Sequence, residues 1–249
     1  MDRKYSVAIV GLVVIGLCAG QAFAAWIPGD GAKIVRIDAS QNGKAGYLQF
    51  VFTPGAPIDG VWTWRLPSGQ QNREIKAGSE VLATLEDLLL EIDTDPAVTL
   101  SFAVVAGGAP TTFTISTATV PFPAIVNPLA YATAAITVTD NDSNGASATG
   151  LYPGAKAYQA RYNSPAVPWA NLVSTVTALP DSSAVGTERQ PASGRQTILA
   201  TVDRIEAEFK FTLSANDQAS GTSRFDIIIP EPAALGVFGL GVLFLLRRR

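Results

Sequence analysis

Val98-Thr-Leu-Ser-Phe-Ala-Val104 and Thr112-Phe-Thr-Ile-Ser116 flank the segment Gly107-Gly108-Ala109-Pro110. In both flanks apolar and polar residues alternate with period two, which sends one set of side chains to a core and the other to water. The Gly/Pro segment between them is turn chemistry. The same unit recurs in both directions along the chain. Upstream lie Lys33-Ile-Val-Arg-Ile-Asp38, Gly46-Tyr-Leu-Gln-Phe-Val-Phe-Thr53 and Gly60-Val-Trp-Thr-Trp-Arg-Leu66, punctuated by Asn-Gly, Pro-Gly and Pro67-Ser-Gly69. Downstream lie Ala134–Thr139, Ala170–Thr177, Thr197–Val202 and Ala207–Leu213. Many short strands separated by turn signals predict an all-β, β-sandwich-like fold. One sandwich is the expected arrangement, with two subdomains divided near Asn141–Gly150 as the alternative.

One segment reads two ways. In Ser79–Ile92, the residues Val81, Leu82, Leu85, Leu88, Leu89 and Ile92 fit a helical face that Ser79 would cap, while Leu88, Leu90 and Ile92 alternate as a strand. The surrounding β pattern favours a strand preceded by a helical turn.

Composition removes several function classes. The 249 residues carry 18 Lys plus Arg against 21 Asp plus Glu, a net charge of −3, so the surplus of cations that nucleic acid demands is missing. A single Cys excludes a disulfide framework. With no His, imidazole chemistry is unavailable.

The two ends differ from the body. Asp2, Arg3 and Lys4 precede an apolar run from Val7 to Leu17, and Ala22-Phe23-Ala24 supplies small residues at the −3 and −1 positions of a cleavage site. That order is the layout of a secretory signal peptide, with a run too short for the roughly 20 residues of a span. Residues 1–24 are expected to leave by signal peptidase, with Ala25 as the new terminus. Cys18 does not read as a lipid-attachment site, because Leu17 stands where a small residue is needed. At the other end, Pro230-Glu231-Pro232 is followed by an uncharged apolar run of 14 residues, Ala233–Leu246, and by Arg247, Arg248 and Arg249. The prolines break any regular element arriving from the domain. The run makes a helix about 21 Å long at 1.5 Å per residue, short of a hydrocarbon core of roughly 30 Å. Arginine snorkelling, bilayer thinning or Ile227–Ile229 would make up the difference. The arginines hold the run's end in the cytoplasm, which leaves the preceding body outside.

This tail resembles the PEP-CTERM sorting signal of Gram-negative bacteria that make extracellular polysaccharide, whose pattern is a Pro-Glu-Pro motif, an apolar helix and a basic end. The resemblance covers about the last 20 residues, and the signal peptide adds to it. It implies recognition near Pro230, Glu231 and Pro232 by exosortase, a membrane protease-transpeptidase. It also implies transient residence in the inner membrane, and then delivery to the cell surface or extracellular matrix. Such tails also carry the label ice-binding protein C-terminal domain, which says nothing about the body. A permanent single-span anchor is the competing reading. With residues 1–24 and 230–249 removed, the exported body is 25–229; Lys plus Arg falls from 18 to 13 and Asp plus Glu from 21 to 19, so its charge is −6. An acidic surface opposes binding to nucleic acid.

Within the body, Asp140-Asn-Asp-Ser-Asn-Gly145 matches the first half of a calcium loop, with oxygen ligands from Asp140, Asp142 and Asn144 and a glycine for the sharp turn. The carboxylate expected at the twelfth position is absent, since Leu151 stands there; Asp93 and Asp95 are candidates to complete the shell. A polar inter-strand turn explains the same residues. No other cofactor is expected. Trp62 and Trp64 share a strand face and are candidates for stacking on sugar rings, with Trp26, Tyr47 or Trp169 beside them; core packing is the competing reading. Thr111–Thr117 and Thr137–Thr139 offer hydroxyl rows of the kind an ice-binding plane would need, and ordinary β propensity also accounts for them. A carboxylate glycoside hydrolase would have to draw on Asp93 with Asp95 or Glu206 with Glu208. No phosphate-binding loop or nucleophile elbow is present. The expectation is a secreted, non-catalytic structural or adhesive protein of exopolysaccharide or biofilm. A carbohydrate-binding module is the first alternative, with the glycosidase and the ice-binding surface behind it.

Overall fold

The computed structural model describes residues 33–228, apart from 54 and 165. The expected signal peptide with its site at Ala22, Ala24 and Ala25, Trp26, and the expected sorting tail from Pro230 to Arg249 lie outside the described residues.

The first half of the chain forms β1 (Lys33–Gln41), β2 (Lys44–Phe52), β3 (Val61–Arg65), β4 (Arg73–Ala77), β5 (Glu80–Asp93), β6 (Ala97–Ala106), β7 (Thr111–Ser116), β8 (Val120–Val126) and β9 (Leu129–Thr139). The second half adds β10 (Ala146–Gly150), β11 (Tyr158–Tyr162), β12 (Val167–Leu172), β13 (Val176–Ala178), β14 (Ser183–Gln190), β15 (Gln196–Thr197), β16 (Thr201–Leu213) and β17 (Gln218–Ile228). They make two antiparallel sheets. The first has the order β12-β11-β16-β7-β1-β2, with β8 and β10 also on β16 and β13 on β10; the second has the order β14-β9-β17-β6-β5-β3, with β15 on β9 and β4 on β5. Strands from before and after residue 141 share both sheets, so no domain boundary falls at Asn141–Gly150.

The alternation read from the sequence is what buries the core. Val98, Leu100, Phe102 and Val104 on β6 point inward, as do Phe209, Phe211 and Leu213 on β16. Phe102 of the second sheet meets Phe209 of the first edge-on at 4.9 Å and lies 6.0 Å from Phe211, so aromatic rings join the layers at mid-height. The sheets also meet along one edge. At Gly46 a Cβ would stand 2.2 Å from the carbonyl oxygen of Lys76, so only a glycine lets β2 run this close to β4. Lys44 and Glu80 pair across the same seam. Covering an edge in this way keeps it from templating strand addition.

Three expectations are corrected. No helical turn precedes β5, which is strand from Glu80 onward. Its helix-like spacing comes from two bulges. Leu82 is extra opposite β4, and Glu86 is extra opposite β6, because the register runs from Leu85↔Val104 to Asp87↔Ala103. Each bulge inserts one residue into the period-two pattern, so Leu82, Leu85 and Leu88 all face inward at spacings of three. The run Ala170–Thr177 is two strands, divided where Val173 turns the chain at φ 65°. The run Thr197–Val202 is likewise broken, where the N–H of Ala200 donates to the carbonyl of Ile198.

Candidate functional site

The strand registers define two poles. Between β16 and β17 a short loop joins the sheets, and it shares a pole with Gln41, with the β6–β7 loop, with Asp140–Gly145 and with Leu179–Ser182. At this pole Asp140 and Asp142, which open the predicted calcium loop, meet Asp217 from the β16–β17 loop. One carboxylate oxygen from each lies within 4.8 Å of the others. Asp140 and Asp217 are buried and Asp142 is exposed.

The two buried carboxylates are fully engaged. Asp140 accepts from the N–H of Asn144 at 3.3 Å through one oxygen and from the N–H of Asp181 at 2.6 Å through the other. Burial pushes the Asp140 carboxyl up, but backbone N–H groups of Asp181, Asp142, Asn144 and Gly145 outweigh that and hold it below the usual carboxylate range. Asp217 accepts from the N–H of Asn141 at 3.2 Å and from the Ser214 hydroxyl. Asn216 donates to Asp142 at 3.1 Å, and Ser143 donates to Asp181 at 2.6 Å. Asn144 is exposed and reaches Asp140 through its backbone. The arrangement cross-braces three loops and gathers negative charge that a divalent cation with oxygen ligands would neutralise. Asp93 and Asp95 do not complete it. They sit beside Ala97 and Asp226, at the opposite pole, about 27 Å away at 3.4 Å per residue along β9.

The other carboxylate pair offered for hydrolysis is claimed by a cation. Arg161 on β11 stands opposite Glu206, pairing with it at 2.9 Å and with Glu208 at 2.6 Å. Tyr152 donates to Glu208 and Thr119 donates to Glu206 at 3.2 Å. Burial and the Glu208 carboxylate together push the Tyr152 phenol far above its ordinary value. A hydrolytic pair needs carboxyl groups free to face a substrate, whereas both glutamates are held by the Arg161 guanidinium. Asp93 meanwhile accepts from the N–H of Asp95 at 3.1 Å, an Asx-type turn, and pairs with Arg224 at 3.5 Å. Burial, then Asp226 and Asp93, raise the Asp95 carboxyl, although the residue is exposed.

Trp62 and Trp64 face the protein's interior edge. Trp62 is only 9% exposed, and Phe52 stacks on both indoles at 4.9 and 5.1 Å, with Phe50 5.3 Å from Trp64. The ring that a sugar would replace is the chain's own Phe52. Of their proposed companions, Tyr47 is exposed beneath Arg36 at 4.3 Å, and Trp169 stacks on Phe225 at 5.4 Å. The threonine rows do not share a plane. Thr111 and Thr117 are buried; Thr112 and Thr114 belong to the first sheet, and Thr137 and Thr139 to the second.

The outer face of the second sheet holds two adjoining shallow depressions of about 270 and 250 Å³, both touching Ala135 and Thr222. Ser101, Thr137 and Ser220 line the first, with Asp87 at its margin. Thr99, Thr133 and Thr187 line the second, beside Arg224. Sequence reasoning missed this trough because its residues come from five strands, β5, β6, β9, β14 and β17, each contributing only part of its lining.

No protein-family model and no curated protein matches the chain. Among solved structures, the adhesin domain of Epf from Streptococcus pyogenes aligns with 78% of this chain at 8% identity and a TM-score of 0.32. The chain spans 58% of that adhesin chain's length. A structure of infectious bursal disease virus, Gt strain, aligns with 87% of this chain and 71% of its own, at 9% identity and a TM-score of 0.15. At these scores neither likeness extends to function, and the described residues form an all-β body of two antiparallel sheets.

Proposed function

We propose that the chain is an exported, non-catalytic surface or matrix protein, sorted through its C-terminal tail, whose sandwich serves a structural or adhesive role. The carrying observation is a junction. Strand β17 stays paired to β9 up to Ile228, and Pro230-Glu231-Pro232 follows after one residue, so a folded body is joined almost directly to the sorting motif. The pairing of Glu206 and Glu208 to Arg161 supports the non-catalytic part of the reading. Mass spectrometry of the protein from its native host, with and without exosortase, tests it. Loss of Ala233–Arg249 in the wild type and retention in the deletion strain is expected. Retention of that segment on the exported form in the wild type would overturn the sorting claim.

A second reading, glycan binding, is favoured by the hydroxyl-lined trough rather than by the tryptophans. Titration of the native exopolysaccharide against wild type and Thr222→Tyr, which fills the trough, separates it from a purely structural role. Calcium at Asp140, Asp142 and Asp217 would strengthen the loop brace in either reading.

A further inference from the structure

The chain enters and leaves the sandwich at one pole. Lys33 lies opposite Phe52 at the end of β1 remote from Gln41, and Ile228 lies opposite Leu129 at the end of β17 remote from Gln218. Gln218 and Gln41 belong to the pole that carries Asp140, Asp142, Asp181 and Asp217, so Lys33 and Ile228 share the other. The poles differ in chemistry. The acidic pole has no Lys or Arg in 140–145, 179–182 or 214–217, and Lys44, opposite Gln41, is paired with Glu80.

The pole of the chain ends groups three exposed apolar tips, where the acidic pole has Leu179. Leu199 is 87% exposed, Ile58 80% and Val126 66%. Val126 stands opposite Thr201, next to Leu199, and Asn127 bonds to the carbonyl of Ala200. Ile58 belongs to the turn that receives Thr94 through Gly60. Charges nearby are mixed: Arg204 pairs with Asp203, Arg195 and Arg224 with Asp226, and Asp59, Asp93 and Asp95 add further carboxylates.

Chain length brings this pole to the membrane. Ile227 is fully buried and its N–H donates to Pro96, so neither it nor the paired Ile228 can lengthen the short apolar run. Only residues 229–232 separate the last strand from Ala233, a reach of about 14 Å at most. The headgroup layer takes up roughly 5–8 Å of that on one side of a bilayer. A run about 21 Å long inside a core of roughly 30 Å draws the junction further inward.

We infer that the pole bearing Ile58, Val126 and Leu199 is a membrane-contacting surface, resting in the bilayer interface while the tail is embedded. The inference builds on the tail reading above. Isolated apolar tips on a surface where Arg195, Arg204 and Arg224 offset most of the acids suit that interface, and the more acidic pole, which an anionic leaflet repels, points outward. The domain thus stands upright on its anchor before release and presents Asp140, Asp142 and Asp181 to the exterior.

The test uses the full chain with Cys18→Ser and a single cysteine, Leu199→Cys or Leu179→Cys, labelled with an environment-sensitive fluorophore. Leu179, 76% exposed on the acidic pole, is the control. Protein is reconstituted in phosphatidylethanolamine–phosphatidylglycerol vesicles containing shallow nitroxide-labelled lipid, and flotation that is lost on removal of residues 233–249 reports tail insertion. Quenching about threefold or more stronger at 199 than at 179 is expected for a tip in the interface. Equal quenching in floating vesicles would overturn the inference and leave the tail reading standing. Failure to float would overturn the tail reading and the inference with it.

Discussion

Replacing Gly221 with alanine tests whether the joint between the sheets is packed as tightly as described. Gly221 on β17 stands opposite Phe102 on β6, and a Cβ there would lie 2.4 Å from both Cε1 and Cζ of that ring. The ring has nowhere to retreat, being 3% exposed and held by Phe209 at 4.9 Å and Phe211 at 6.0 Å. Overpacking of this kind costs about 1–3 kcal/mol. Removing a glycine from a strand interior returns about 0.5–1 kcal/mol. The net expectation is a loss of about 1–2 kcal/mol, or a Tm lower by roughly 4 °C for a domain of this size. Thermal unfolding followed by far-UV circular dichroism measures it. Phe102→Leu alone leaves a cavity and should cost about 1–2 kcal/mol. Combined with Gly221→Ala it should cost less than the sum, by about 1 kcal/mol, because the new methyl occupies space the ring has vacated. A Gly221→Ala protein as stable as wild type, or strict additivity in the double mutant, would refute the packing argument.

Arg161→Met should destabilise by about 2–3 kcal/mol, because Glu206 and Glu208 are less than one quarter exposed and would lose their shared cation. Adding Glu206→Gln and Glu208→Gln should restore most of the loss in urea unfolding; no recovery would mean the arginine acts through its stem alone. For Asp140, a carboxyl held below its ordinary value of 3.8 contributes stability that is present above that pH and lost as pH falls through the folded-state value. Wild type should therefore lose more stability than Asp140→Asn between pH 6 and pH 3, and equal losses would discount the N–H cage. Millimolar calcium should raise the wild-type Tm by a few degrees if the site binds with a Kd of about 0.1–1 mM, and should not raise that of Asp217→Asn. An unchanged wild-type Tm removes the calcium reading.

What was legible in the sequence was what is local. Where one face of a strand is apolar and the other polar, as in Val98–Val104, alternation alone carries the assignment. Strands that escaped notice lack that contrast. β14 is an edge strand with Gly186 and Glu188 among its residues, and most of β17 buries only Ala219, Gly221 and Ser223 before Phe225. In these strands the inward set is small or polar because a neighbour fills the space, as Phe102 does beside Gly221. Segment β5 shows the complementary failure. Two bulges mimic helical spacing, and the partners that create them, β4 and β6, cannot be seen from β5 itself.

Site residues were harder to read for the same reason. In an antiparallel sheet, two acids at i and i+2 lie on one face, and their chemistry is decided by what stands opposite. Glu206 and Glu208 look like a catalytic pair until β11 sets Arg161 between them. Glu188 is answered by Lys156 at 2.7 Å, and Asp226 by Arg195 at 3.2 Å and Arg224 at 2.9 Å. Arg161, Lys156 and Arg195 come from a different strand or loop than the acids they answer, and only Arg224 shares its strand with Asp226. Asp217 reaches Asp140 because one pole gathers the loops of both sheets, and no spacing in the chain connects the two. The carboxylates left with the fewest cations are therefore those of the acidic pole. Their N–H donors are fixed by the backbone, so charge accumulates there without neutralisation, at the end of the domain farthest from its tail.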